Sequence, residues 1–307
     1  MPQSDAKIVT SKDQKEDRPL LGMLLRLAGI AVLATMFMLI KLVGDRGVHV
    51  VEVLFYRYTL GALFIGGWMF WSGQSGHFKT ERLTGHAARA AIGLVAMSCN
   101  FAAVMLLPLP EAAVLRFTMP LIATVLSVIV LREFVGWRRS GAVIVGFVGI
   151  LIAIQPGQGE LPLLGVLAGL AGALAGSGAM ILIRKLSSSE STETIVFYYM
   201  FLAAPVTAVG VIFVGSWHSM EVYALLLAIG VLGTIGMYLI SGALRFASIS
   251  VALPMDYASI IFSTFYAYLI WGHWPDASLW AAIPFIIGSG LYIAMRERKR
   301  REQTDAS

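Results

Sequence analysis

The chain has 307 residues, 58% of them hydrophobic and only 13% charged, against roughly 25% charged in a soluble domain, which excludes an ordinary water-soluble fold. Its formal net charge of +5 does not indicate nucleic acid, because the basic residues lie in tails and short loops and form no folded patch. Membrane orientation explains that distribution better. A single cysteine, Cys99, excludes an internal disulfide.

Residues 1–19 form a polar tail, and the apolar run 20–43 that follows is too long for a signal-peptide core. It is predicted to remain as a first transmembrane helix. Crossing the hydrocarbon takes about 20 mostly apolar residues, and ten such spans are predicted, at 20–43, 50–71, 87–107, 111–131, 139–155, 161–183, 194–214, 222–244, 249–271 and 278–295. Only Pro108-Leu109-Pro110 separates the third from the fourth. Residues 297–307 form a basic tail, and the seven Trp residues lie near span ends, where amphipathic rings favour the headgroups.

With a cytoplasmic N-terminus, 18 of the 23 Lys and Arg residues fall on the cytoplasmic side, Arg89 and Arg139 at the inner ends of the third and fifth spans counted among them. The opposite side holds only Lys41 and Arg46, and its loops 156–160, 215–221 and 272–277 hold no Lys or Arg. Arg26, Arg57 and Arg116 remain inside spans. This alternation predicts a multi-pass protein of a bacterial inner membrane with both termini cytoplasmic.

The two halves match. LGMLLRLAG (21–29) aligns with LGVLAGLAG (164–172), FMLIK (37–41) with MILIR (180–184), EVLFYRY (52–58) with ETIVFYY (193–199), and EAAV (111–114) with SVAL (250–253). Five spans per copy is an odd number, so the second copy enters the membrane from the other side. The predicted fold is therefore all-α, ten transmembrane helices arranged as two inverted five-helix repeats, 20–155 and 161–296. Such repeats are the recurring architecture of secondary transporters, because exchanging the conformations of the halves turns an outward-open cavity inward.

A charge in hydrocarbon costs on the order of 2.5–3.5 kcal/mol on insertion scales and is functional by default. Arg57, Arg116 and Asp256 stand out. Arg116 and Asp256 are expected to face a shared central cavity and to contact substrate or each other, against a buried ion pair or a snorkelling arginine as the structural alternative. Pro120 and Pro254 are expected to kink their helices beside them, with Pro205 and Pro284 as further bends. Tyr257 and Asn100 are expected to line the pathway. Gly165, Gly169, Gly172 and Gly176 share one helix face, which favours close helix packing. The histidines lack metal-site spacing, no phosphate-binding loop occurs, and no catalytic constellation can be assembled. The chain is thus expected to use no metal and no cofactor, and not to be an enzyme.

The chain resembles the ten-helix EamA branch of the drug/metabolite transporter superfamily over about 20–296. The resemblance is carried by the paired repeats, EVLFYRYTLGAL (52–63) and PEAAVLRFTMPLIATVLSVIVLREFVGWRRSGAVIVGFVGILIAIQPG (110–157). In that stretch Ala113, Pro120, Glu133, Trp137, Gly141, Gly146 and Gly149 fall where the family pattern expects them. The second copy, SVALPMDYASIIFSTFYAYLIWGHWPD (250–276), has Gly272-His273 where many members carry Gly-Glu. The resemblance implies a basket-shaped bundle whose cavity is lined largely by the first, third, fourth, sixth, eighth and ninth spans. LRFTMP and LPMDY look most like riboflavin and S-adenosylmethionine importers. It implies a secondary transporter, with riboflavin uptake as the first choice. S-adenosylmethionine uptake or amino-acid or metabolite export is the alternative, and a pore or lipid scramblase the alternative class. The implied partners are a small-molecule substrate and the lipid bilayer, not nucleic acid; a homodimer is allowed by the sequence without being required.

Overall fold

The computed structural model describes residues 19–73, 79–131, 137–155, 161–246 and 253–305. Most of the N-terminal tail, Glu133 and the start of the predicted ninth span lie outside them.

The helices are α1 (Pro19–Asp45), α2 (Val50–Trp71), α3 (Leu83–Leu106), α4 (Leu109–Arg116), α5 (Thr118–Leu131), α6 (Trp137–Ile154), α7 (Leu163–Leu186), α8 (Thr192–Val214), α9 (Met220–Phe246), α10 (Ala258–Trp271), entered through a 3-10 turn at Leu253–Tyr257, and α11 (Ala277–Asp305). Taking α4 with α5 as one interrupted span gives ten spans among the described residues, with no strand. In lipid a backbone must satisfy its own polar groups, which is why the apolar runs become helices. The face where α1 begins and α11 ends is here the tail face; the opposite one is the far face. In the predicted orientation the tail face is cytoplasmic.

Local chemistry sets the ends. α2 opens with a capping box in which His49 Nδ1 accepts from the Val51 amide at 3.3 Å and the Glu52 carboxylate accepts from the His49 amide at 3.1 Å. The fourth span breaks at Phe117, whose amide donates back to the Val114 carbonyl at 3.0 Å. Pro120 explains the position: it has no N–H to offer the Arg116 carbonyl four residues earlier. The Thr118 hydroxyl donates to the Leu115 carbonyl across the break. In the second repeat the matching place is the 3-10 turn holding Pro254.

The dominant packing crosses between repeats. α1 packs on α9 and α3 on α7, while α2 meets α8 and α6 meets α11. The first two are exchanges, in which the first helix of each repeat lies on the third helix of the other. The last two join like to like. Glycines permit the exchanges: a Cβ on Gly29 would sit 3.1 Å from the Ile240 backbone nitrogen, and one on the matching Gly172 would sit 3.0 Å from that of Asn100. The rest of the Gly165, Gly169, Gly176 row lies against Leu107, Leu115 and Met119, the close approach that small residues allow. Large apolar side chains such as Phe64, Ile212 and Ile261 point outward over the lipid-facing surface.

Candidate substrate pathway

The strongest polar contact inside the bundle ties the first span to the ninth. Arg26 Nε donates to Asp256 Oδ1 at 2.7 Å and Arg26 Nη2 to Asp256 Oδ2 at 2.6 Å, the fork-to-fork geometry in which guanidinium and carboxylate bind best. The side chains are 10% and 31% exposed, so the pair is largely withdrawn from solvent. Arg116, expected to contact substrate or Asp256, does not touch Asp256: its guanidinium carbon lies 3.9 Å from the Phe37 ring centroid. Depth explains the difference. Inversion carries matching residues to mirrored depths, so Arg116 sits in the far half of the fourth span and Asp256 near the tail-face end of the ninth. Arg26, about 10 Å up α1 from that same face, matches Asp256 in height.

The two helix breaks meet through aromatic rings. Phe117 and Tyr257 lie 4.7 Å apart with their planes at 31°, and the Tyr257 hydroxyl lies where a Cβ on Gly290 of α11 would sit. Pro120 and Pro254 flank this junction, one in each interrupted span.

Arg57 is 7% exposed in the middle of α2. Its Nη1 donates to Met36 Sδ at 2.8 Å, its guanidinium carbon lies 5.6 Å from the Phe101 ring centre, and its Nε has no hydrogen-bond partner. Phe101 and Phe37 stand edge to face at 6.1 Å. Arg57, Phe101, Phe37 and Arg116 therefore form a continuous row, cation, ring, ring, cation. Asn100, beside Phe101, donates its amide to the Ala96 carbonyl at 2.8 Å and fills the space left by Gly172.

Two arginines that carry much of the interior were under-read from sequence. The sequence marks Arg26 only as an in-span charge and counts Arg89 with the cytoplasmic side, at the inner end of its span. α3 begins at Leu83, so Arg89 lies inside the helix, its guanidinium carbon 4.2 Å from the Tyr199 ring centre and its Nε and Nη1 buried without a hydrogen-bond partner. Tyr199 hydrogen-bonds Tyr58 at 2.6 Å and donates to the Gly93 carbonyl at 3.1 Å. Gly93 and Gly233 each make room for a guanidinium, that of Arg89 and that of Arg57.

Each face also carries a glutamate-histidine contact between repeats. On the far face His218 Nε2 lies 2.9 Å from Glu52 Oε2. On the tail face His86 Nε2 lies 3.8 Å from Glu190 Oε1, too long for a hydrogen bond, while the Thr80 hydroxyl donates to Glu190 at 2.6 Å. His273, the departure from the Gly-Glu pattern, lies 3.4 Å from Glu111. Glu111 and Asp276 border a small recess between the ends of α6 and α11. Among the described residues no group of three His, Cys, Asp or Glu side chains could hold a metal.

The sequence pattern of the EamA-like transporter family matches residues 20–155 and again 163–295. An S-adenosylmethionine uptake transporter of Rickettsia felis is 27% identical over 266 residues, 84% of this chain and 87% of its own. A riboflavin transporter of Vibrio cholerae is 26% identical over 85% of this chain and 88% of its own. A pseudopaline exporter of Pseudomonas aeruginosa is 26% identical over 74% of this chain and 79% of its own. A solved crystal structure, 18% identical, covers 93% of this chain and 98% of its own with a TM-score of 0.62, a likeness of fold alone.

Proposed function

This chain belongs to the EamA-like transporter family, and from that premise we propose that it carries a small organic metabolite across a bacterial inner membrane by alternating access. It is a multi-pass membrane transporter and not an enzyme. The observation that carries the proposal is the exchanged packing of α1 on α9 and of α3 on α7. Each repeat grips the other by the same surfaces, so two conformations of the halves can trade places without new contacts, which is what moving the opening from one face to the other requires.

In this reading the units are 20–155 and 161–296 and both termini face the cytoplasm. Arg57, Arg116, Asp256, Tyr257 and Asn100 belong to the substrate path, and Pro120 and Pro254 set the breaks beside it. Asp256 acts through its pair with Arg26. Riboflavin is the first substrate to test and S-adenosylmethionine the second, on the printed functions of the relatives; metabolite export is the third option. The ring-rich interior of Phe37, Phe101, Phe117 and Tyr257 suits a substrate with a flat ring system.

The test is uptake into proteoliposomes. Saturable uptake of labelled riboflavin or S-adenosylmethionine with counterflow is the expected result, and flux linear in concentration without counterflow would replace the carrier with a pore. Asp256→Asn and Arg116→Gln variants that still insert should lose most uptake; unchanged uptake in both removes these residues from the path. Tags accessible on opposite sides at the two termini would break the inverted-repeat arrangement and the mechanism with it.

A further inference from the structure

Within the predicted spans, Arg139 at the inner end of the fifth aside, the chain places five cations, Arg26, Lys41, Arg57, Arg89 and Arg116, and three carboxylates, Glu52, Glu111 and Asp256. The carboxylates are all engaged: Asp256 with Arg26, Glu52 with His218 and Glu111 with His273. Lys41 lies near the far-face end of α1, donating to the Met105 carbonyl at 3.4 Å beside Trp271. Arg57, Arg89 and Arg116 are left with aromatic rings and no carboxylate among the described residues.

A guanidinium keeps its charge and carries five N–H donors in one plane. A ring contact supplies no lone pair to those donors, so it leaves them able to bind a carboxylate or phosphate in two-point geometry. Arg57 makes one hydrogen bond, to the thioether of Met36, which is a weak acceptor. Arg116 makes no hydrogen bond or ion pair with a described residue, only its contact with Phe37. Snorkelling does not relieve either one: each lies about 10 Å, some seven residues at 1.5 Å each, from the far end of its helix. Two desolvated cations on either side of one ring pair are costly unless an anion enters with them.

We infer that the transported substrate bears a carboxylate or phosphate, bound by the edges of Arg57 and Arg116 on either side of the Phe37–Phe101 ring pair. This rests on the carrier reading and narrows its substrate class. Arg89, farther toward the tail face over Tyr199, offers the anion its next cation along the path.

The experiment uses compounds matched in ring system that differ in the anion: riboflavin with riboflavin 5′-phosphate, nicotinamide with nicotinate, and decarboxylated S-adenosylmethionine with S-adenosylmethionine. Binding is read as thermal stabilisation of the purified full chain. Transport is read as competition in counterflow, in zwitterionic lipid that offers no competing anionic headgroup. The expected result is that, in any pair that binds, the anionic member binds about tenfold or more tightly. Arg57→Gln and Arg116→Gln should narrow that ratio to about twofold or less. The wild-type comparison decides the matter even if either variant fails to fold. Equal affinity within the pairs that bind, no binding by any member, or a ratio that survives in both variants overturns the inference. The two readings fail separately. Counterflow of riboflavin without preference for its phosphate leaves the carrier and removes the anion site; stabilisation by the anionic members without counterflow leaves the anion site and removes the carrier.

Discussion

Tyr58 and Tyr199 hold matching positions in the two repeats and share one buried hydrogen bond, hydroxyl to hydroxyl, at 2.6 Å. Matching residues of a two-fold arrangement touch only near its axis, so this bond lies close to the axis that relates the halves. Because Tyr199 also donates to Gly93, Tyr58 is the donor between the two. Tyr199→Phe leaves the Tyr58 hydroxyl without an acceptor and should cost about 1–3 kcal/mol, whereas Tyr58→Phe should cost about 0.5–1.5 kcal/mol. Thermal unfolding of the purified variants checks the order; equal losses, or a larger loss from Tyr58→Phe, would refute it.

The glycines of the exchanged interfaces give a paired prediction. Gly172→Ala drives a Cβ to within 3.0 Å of the Asn100 backbone, which cannot swing aside, and should destabilise by about 1–3 kcal/mol. Gly178→Ala meets only Ile92 Cγ2 at 3.7 Å and should be neutral or slightly stabilising, since Ala is the better helix former by about 1 kcal/mol. Both are read as melting temperature in detergent.

Breaking the Arg26–Asp256 pair from one side leaves a charge alone. Arg26→Met or Asp256→Leu should each lower stability by about 2–4 kcal/mol, below the full cost for a buried pair because Asp256 is 31% exposed. The double variant should recover at least about half of the loss. A double variant as unstable as the sum of the singles would show that the pair does more than neutralise itself.

The glutamate-histidine contacts differ between faces, 2.9 Å at Glu52–His218 and 3.8 Å at Glu190–His86. Glu52→Gln should therefore loosen residues 215–223 selectively, raising amide exchange there about tenfold. Glu190→Gln should act chiefly through Thr80, on the loop before α3. Exchange that rises equally over both faces would contradict this.

The ten spans were legible because hydrophobic runs of membrane length are a strong one-dimensional signal, and the inversion followed from an odd span count. The cost of charge in lipid singled out Arg57, Arg116 and Asp256. The partner of Asp256 was not legible: Arg26 lies 230 residues away, and Arg116, nearly equivalent to Asp256 in the repeat alignment, lies at the mirrored depth. Arg89 was lost to a boundary. The third span begins at 87 in the sequence and at Leu83 in the structure, and the extra turn carries Arg89 from the inner end of the span, where a guanidinium could reach the surface, into the bundle. Pro120 foretold the break at Phe117, but nothing in the linear pattern showed that its ring would meet Tyr257.

The exchanged packing bears on how the chain is made. α1 leaves the ribosome before α9, its main partner, and some 175 residues separate the end of one from the start of the other. Until then Arg26 has no Asp256, and the face carrying Gly29 meets lipid or whatever escort the insertion machinery provides. Neither half completes its core alone, so truncation within the second repeat should strand the first in the bilayer and mark it for proteolysis.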